Sequence, residues 1–247
     1  MNLNTFKRSK TLFFLCLFFL FCQFSMHADT LYLRENLKKA KSGDFVVTMQ
    51  NKTFTMFHIN KIDGNSLFIE EISIPSTKFA KENCTFRAWF EGGAPKNSSW
   101  IMYKIDLSTG QMLKSYVHLQ NGWVEKPINQ SFLSTLLNLR LNAVSPSERK
   151  KIGRVPHNRN GDKGFLWQPQ LKLEGQVVKD IPFNAWYAKW PNDKSDLSGK
   201  SIEIYTPEDS DFYPSYLPYW LEISGMIGSA KIRIVDSGRN LTSPHPF

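Results

Sequence analysis

The chain opens on polar and basic residues, becomes apolar almost without interruption over 11–22, and turns polar again over 23–28. That order is the one a secretory signal peptide requires. Lys7, Arg8 and Lys10 hold the cytoplasmic face while the Phe- and Leu-rich run enters the bilayer as a short helix. The run is about 12 residues, short of the ~20 that cross a hydrocarbon core. Cleavage is expected after Ala28, with Ser25 as the second choice because Met26 occupies a place that favours a small residue. Two readings compete: a retained membrane anchor, and lipidation of Cys16 or Cys22. Lipidation wants a small residue before the cysteine, and Leu15 and Phe21 stand there instead.

Beyond residue 28 the apolar period switches repeatedly between helix and strand. Leu31, Leu33, Leu37 and Ala40 have helical spacing, closed by Lys41-Ser42-Gly43-Asp44. Segments 45–49 and 53–59 read as strands joined in a hairpin at Gln50-Asn51-Lys52, and Asp63-Gly64-Asn65 turns into a third strand, 66–74. Pro75-Ser76-Thr77 predicts the start of a helix with Ser76 as its cap and Cys84 buried in it, stopped by Gly92-Gly93-Ala94-Pro95. Strands 99–107 and 111–119 alternate. Ile101, Tyr103, Ile105, Leu107, Leu113, Val117 and Leu119 are expected on the core face, and Lys104, Lys114 and His118 on a solvated one.

A short helix is predicted over 130–138. Another follows from Ser145-Pro146-Ser147-Glu148 to 152, started by a capping box. The basic stretch 153–164 lacks an apolar period and reads as a loop, with a segment boundary near 160. Strands resume at 170–174, 176–178, 183–190, 200–205, 219–225 and 230–236. The fold class that follows is α+β or mainly β. It has antiparallel sheets curved around short helices near 30–40, 76–91, 130–138 and 146–152. In this division 1–28 is the signal, 29–160 a β-rich segment, and 161–247 a mainly β segment packed with it as one domain.

Composition narrows the setting more than the chemistry. Removal of the signal would leave roughly 220 residues with Cys84 as the sole cysteine, so the core rather than cross-links must hold the fold. The formal charge of +9 falls to about +6 with the three cations of the signal gone. That is a modest basic bias, spread among acids, and fits a solvated surface with peripheral membrane contact rather than nucleic-acid binding.

Motifs for catalysis are missing. His58, His118, His157 and His245 are too far apart along the chain for a local metal clamp, and there is no nucleophile elbow or phosphate-cradling glycine loop. Neither a cofactor nor a metal is expected. Glycan-cleaving chemistry needs only two carboxylates placed by the fold. Glu70, Glu71, Glu203 and Glu222 on strands, with Asp209 and Asp211 on a loop, supply candidates, although outward, solvated positions explain strand carboxylates as well.

Aromatic residues are denser. Trp186 and Trp190 share a strand face, and Tyr213, Tyr216, Tyr219 and Trp220 crowd a Pro-punctuated stretch that disfavours helix and central strand. These six form a candidate ligand or partner surface, offering apolar area with polar tips. A structural corner packed over an open sheet edge explains them too. Lys231-Ile232-Arg233-Ile234 alternates aliphatics facing the core with cations facing water or an anionic partner, and charge protection of a sheet edge explains it equally well.

Four stretches, taken together, resemble an uncharacterised group of exported proteins of chlamydia-like bacteria. They run from Trp89 through Gly92-Gly93-Ala94-Pro95 to Trp100, from Glu148 to Gly153, from Pro218 to Leu221, and from Ile234 to Gly238. The resemblance implies a Gram-negative envelope as the setting and no particular catalytic residue. The expected function is that of an exported, non-catalytic periplasmic or envelope protein binding an apolar ligand, a lipid or a protein partner. A hydrolase of the envelope, acting on glycan or peptide through fold-assembled carboxylates, is the alternative.

Overall fold

Short polar turns between β-branched runs drive this chain into hairpins, and the hairpins add side by side. The computed structural model describes residues 30–120, 122–127, 132–149, 169–225, 229–245 and 247. The predicted export signal, the loop 153–164 with its boundary near 160, and the tip of the last hairpin at 226–228 lie outside the described residues.

The strands are β1 (Thr30–Leu31), β2 (Phe45–Gln50), β3 (Thr53–Asp63), β4 (Ser66–Pro75), β5 (Ser99–Asp106), β6 (Met112–Leu119), β7 (Gly122–Lys126), β8 (Leu141–Ala143), β9 (Leu171–Leu173), β10 (Gln176–Val178), β11 (Phe183–Lys189), β12 (Ser201–Pro207), β13 (Trp220–Ser224) and β14 (Ser229–Gly238). Among the described residues four short helices accompany them: α1 (Leu33–Leu37), α2 (Ser76–Phe79), α3 (Phe86–Glu91) and α4 (Phe132–Asn138). The fold is mainly β. Twelve strands form one open antiparallel sheet in the order β1-β8-β11-β12-β13-β14-β2-β3-β4-β5-β6-β7, and β9 and β10 make a separate hairpin. Strands from before and after residue 160 thus lie in the same sheet.

Cross-strand register sorts the side chains into two faces. One row runs Val46, Phe57, Glu71, Ile101, Val117, Val124. The row on the opposite face runs Phe45, His58, Glu70, Met102, Tyr116, Glu125. Both faces are covered. The first carries most of the larger core, where α1 and α4 pack through Leu33, Leu37, Leu133, Leu136 and Leu137. The second carries a smaller core in which Phe45, Val47, Met56 and Ile72 meet Trp89 and Phe90 of α3.

Double coverage corrects several expectations. The face of β5 and β6 assigned to water holds Trp100 and Met102, both buried, while Leu113 and Leu119, expected inside, are exposed. Leu113 is the extra residue of a bulge between β5 and β6, which takes it out of the alternation. The helix expected over 76–91 is broken in two. Asn83 takes a left-handed φ of 49°, Thr85 rather than Ser76 caps the second piece, and Cys84 is exposed in the break. Ser145–Glu148 forms a hydrogen-bonded turn with the Ser145 hydroxyl on Glu148, not the start of a helix within the described residues. β14 lies between β13 and β2, so its cations do not guard an edge.

Candidate functional site

The sheet curls, and the curl makes a cavity. A single space of about 500 Å³ is lined both by Leu221 of β13 and by Lys126 of β7. These strands are seven spacings apart in the sheet, roughly 34 Å if it were flat at about 4.8 Å per strand. One cavity touches both because the sheet bends round on its first face. Bulges in β3, in β14 and between β5 and β6 supply local bends. Helix α4 covers the hollow with Phe132, Leu133 and Leu136, and Leu217-Pro218 closes another side.

Most of the lining is apolar: Phe57, Ile101, Met112, Val117 and Ile232 join the residues just named. Among the lining residues one carboxylate stands out, Glu71 in the middle of β4. Burial pushes its carboxyl above the usual range, and the neighbouring Tyr103 hydroxyl partly opposes that shift. Tyr103 is raised in turn, first by its own burial and then by the charge of Glu71. The remaining hydroxyls are bonded within the protein. Thr48 donates to the Thr55 carbonyl (3.1 Å), Thr55 pairs with Ser73 (2.9 Å), and Ser115 donates to the Lys126 carbonyl (3.1 Å).

Glu70, the next residue, points the other way into a closed polar knot. His58 Nδ1 lies 3.1 Å from Glu70 Oε2, while its Nε2 donates to the Leu241 carbonyl at 2.9 Å. Asn60, the unpaired residue of the β3 bulge, and Ser243 both donate to Glu70 Oε1, at 3.0 and 2.8 Å. With both ring nitrogens engaged and both residues buried, this Ser, His and Glu set offers a substrate no approach. It fastens the C-terminal segment to the sheet.

Other carboxylates meet in two places. Glu203 and Glu222 are cross-strand partners in a row with Tyr187 and Lys231, on the face away from the cavity. Asp209 and Asp211 line a polar recess of about 360 Å³ with Asp44, and Lys39, Lys41 and Arg239 neutralise them there. Among the described residues no group of three His, Cys, Asp or Glu side chains is placed to hold a metal.

Of the six aromatic residues singled out by sequence, the fold buries four. Tyr213, Tyr216 and Tyr219 plug the core beside Leu217, and Trp190 stacks on Phe132 of α4 at 5.2 Å with its indole donating to Asp193. Buried rings line no outer rim. The stretch contributes to the cavity instead through Leu217 and Pro218. Trp186 and Trp220 are half-buried, Trp186 donating to Thr206 and Trp220 lying under the Lys231 ammonium. Glu71 and Tyr103 were visible only as one carboxylate among many and one core-facing ring. The usable signal was two adjacent glutamates inside a ten-residue apolar strand, which places one on each face of a sheet covered on both.

No curated protein matches the chain. Its fold is similar to that in the 2.0 Å structure of the hypothetical protein CT021 from Chlamydia trachomatis. The TM-score is 0.65 at 20% identity, covering 89% of this chain and 98% of that one. The CT021 protein family model matches residues 55–179, half of the sequence, including Glu71, Tyr103 and α4. The chain is therefore a member of the CT021 protein family, an uncharacterised chlamydial group.

Proposed function

We propose that this protein is a non-catalytic binding protein of the cell envelope, reached by export, whose curled sheet holds a small, mainly apolar ligand. The observation that carries the reading is the cavity of about 500 Å³, walled by aliphatic and aromatic side chains and carrying one carboxylate. Its size falls in the range of small-molecule sites, as does a greasy wall with few polar groups. A glycosidase-like pair needs two carboxyl groups about 5–10 Å apart. The second acid is not among the lining residues.

The test is titration of the protein with N-phenyl-1-naphthylamine, an apolar dye that brightens on leaving water. A saturable 1:1 signal that falls at least tenfold in affinity in Val117→Phe, with circular dichroism unchanged, is the expected result. A dye signal that is unsaturable, or indifferent to Val117→Phe, would remove the cavity as a binding site. Envelope hydrolysis is the second reading, favoured by the cross-strand Glu203–Glu222 pair. It requires release of sugar or peptide from envelope material that Glu203→Gln abolishes.

A further inference from the structure

The ligand's head group can be read from the same cavity, on the premise that the cavity binds an apolar ligand at all. Polar lining lies on both sides of Glu71: Thr48, Gln50 and Thr55 on β2 and β3, Tyr103, Ser115 and Lys126 on β5 to β7, with Met112, Phe132, Leu133 and Leu136 as apolar wall. Along β4, Ile69 is fully buried two residues before Glu71, and Ser73 is half-buried two residues after it. Glu71 therefore stands as the one charge in an otherwise apolar row with Phe57, Ile101 and Val117.

Its hydrogen bonding is incomplete. A carboxylate has about four acceptor sites, and among the described residues the Tyr103 hydroxyl is the one protein group that acts on Glu71's carboxyl besides burial. The hydroxyls of Thr48 and Ser115 are spent on backbone carbonyls, and Thr55 pairs with Ser73. Further donors to Glu71 can then come from what enters the cavity. A carboxylate head would set two acids side by side in an apolar site. A hydroxyl would supply one donor and no charge. An ammonium brings three donors and the opposite charge, which is how a half-buried carboxylate is satisfied with least cost. Lys126 also lines the space, but its side chain belongs to the exposed edge strand, where water screens it.

We infer that the cavity selects an amphiphile with a protonated amine head, seated on Glu71 beside the Tyr103 hydroxyl, with its apolar tail between β6 and α4. The experiment is competition at pH 7 between N-phenyl-1-naphthylamine and dodecylamine, dodecanol or dodecanoate, each below its micellar concentration. The full chain and Glu71→Gln are compared. Dodecylamine is expected to displace the dye at least tenfold more effectively than dodecanol, and Glu71→Gln to erase that gap while leaving dodecanol unchanged. If the dye binds but dodecanol or dodecanoate competes as well as the amine, the head-group assignment falls and the apolar site stands. If neither the dye nor any of the three binds, both fall together.

Discussion

Glu70 shows how much can rest on one side chain. It is fully buried, Asn60 and Ser243 donate to its Oε1, and His58 Nδ1 lies 3.1 Å from its Oε2, so it ties β3 to a segment more than 170 residues further on. Removing it leaves those three groups facing an apolar hole. Leaving a buried hydrogen-bonding group without its partner costs about 1–3 kcal/mol. Glu70→Ala is accordingly expected to lower the urea midpoint by that order in free energy, with Glu70→Gln, which keeps acceptor and shape, losing less. Equal stability of Glu70→Ala and wild type would refute the role. Glu71 differs from it by one position and faces the cavity, which makes the pair a good control. Glu71→Gln should leave the unfolding midpoint nearly unchanged.

At the level of elements, α1 to α4 have only four to seven residues each, too short to be stable alone in water. They exist because the sheet gives their apolar side chains somewhere to go. The end of β14 is tighter still. A Cβ added at Gly238 would come within 2.6 Å of the Phe45 ring and clash with the Glu174 carboxylate. Glu174 is held by Arg87 of α3, whose guanidinium also donates to the Arg239 and Asn240 carbonyls. The β9–β10 hairpin, α3 and β14 thus converge on one glycine. Gly238→Ala should cost roughly 1–3 kcal/mol, the range for overpacking, read as a fall in melting temperature. An unchanged melting temperature would mean that Phe45 and the hairpin move aside freely.

Across the whole molecule, the C-terminal segment works as a strap over the second face. His58 holds the Leu241 carbonyl and Glu70 holds Ser243. His245 stacks on His118 with ring centroids 3.8 Å apart, and Phe247 packs against Phe68, Tyr116 and Trp123. The His118 imidazole sits below its ordinary value, mainly through burial and then through the charge of His245, with Glu70 opposing. A base depressed in the folded state binds more protons when unfolded, so its contribution is intact above about pH 6.5 and is lost as pH falls through the folded value. Melting temperature should therefore drop between pH 7 and 5, and His118→Phe should show a shallower drop by differential scanning calorimetry. A variant slope as steep as wild type would place the acid sensitivity elsewhere.

Local rules made much of the sheet legible before any tertiary contact was considered. Gln50-Asn51-Lys52 and Asp63-Gly64-Asn65 lie between β-branched runs, and the turns appear where those residues allow a reversed chain. The same holds for β5 with β6 and for β11 to β14, because alternation and turn chemistry act over a few residues. What layered on each face was decided only by the fold. His118 looks solvated beside Lys114, yet it is covered by a segment more than a hundred residues away. Tyr213, Tyr216 and Tyr219 look like a sticky loop, yet they fill the core. Strand order and curl, which bring β13 and β7 to one cavity and set Glu71 inside it, depend on long-range pairing and on bulges that re-aim the chain. Periodicity along the sequence says which residues share a face. It carries no term for what packs on that face, so the cavity and its single acid belong to the tertiary structure alone.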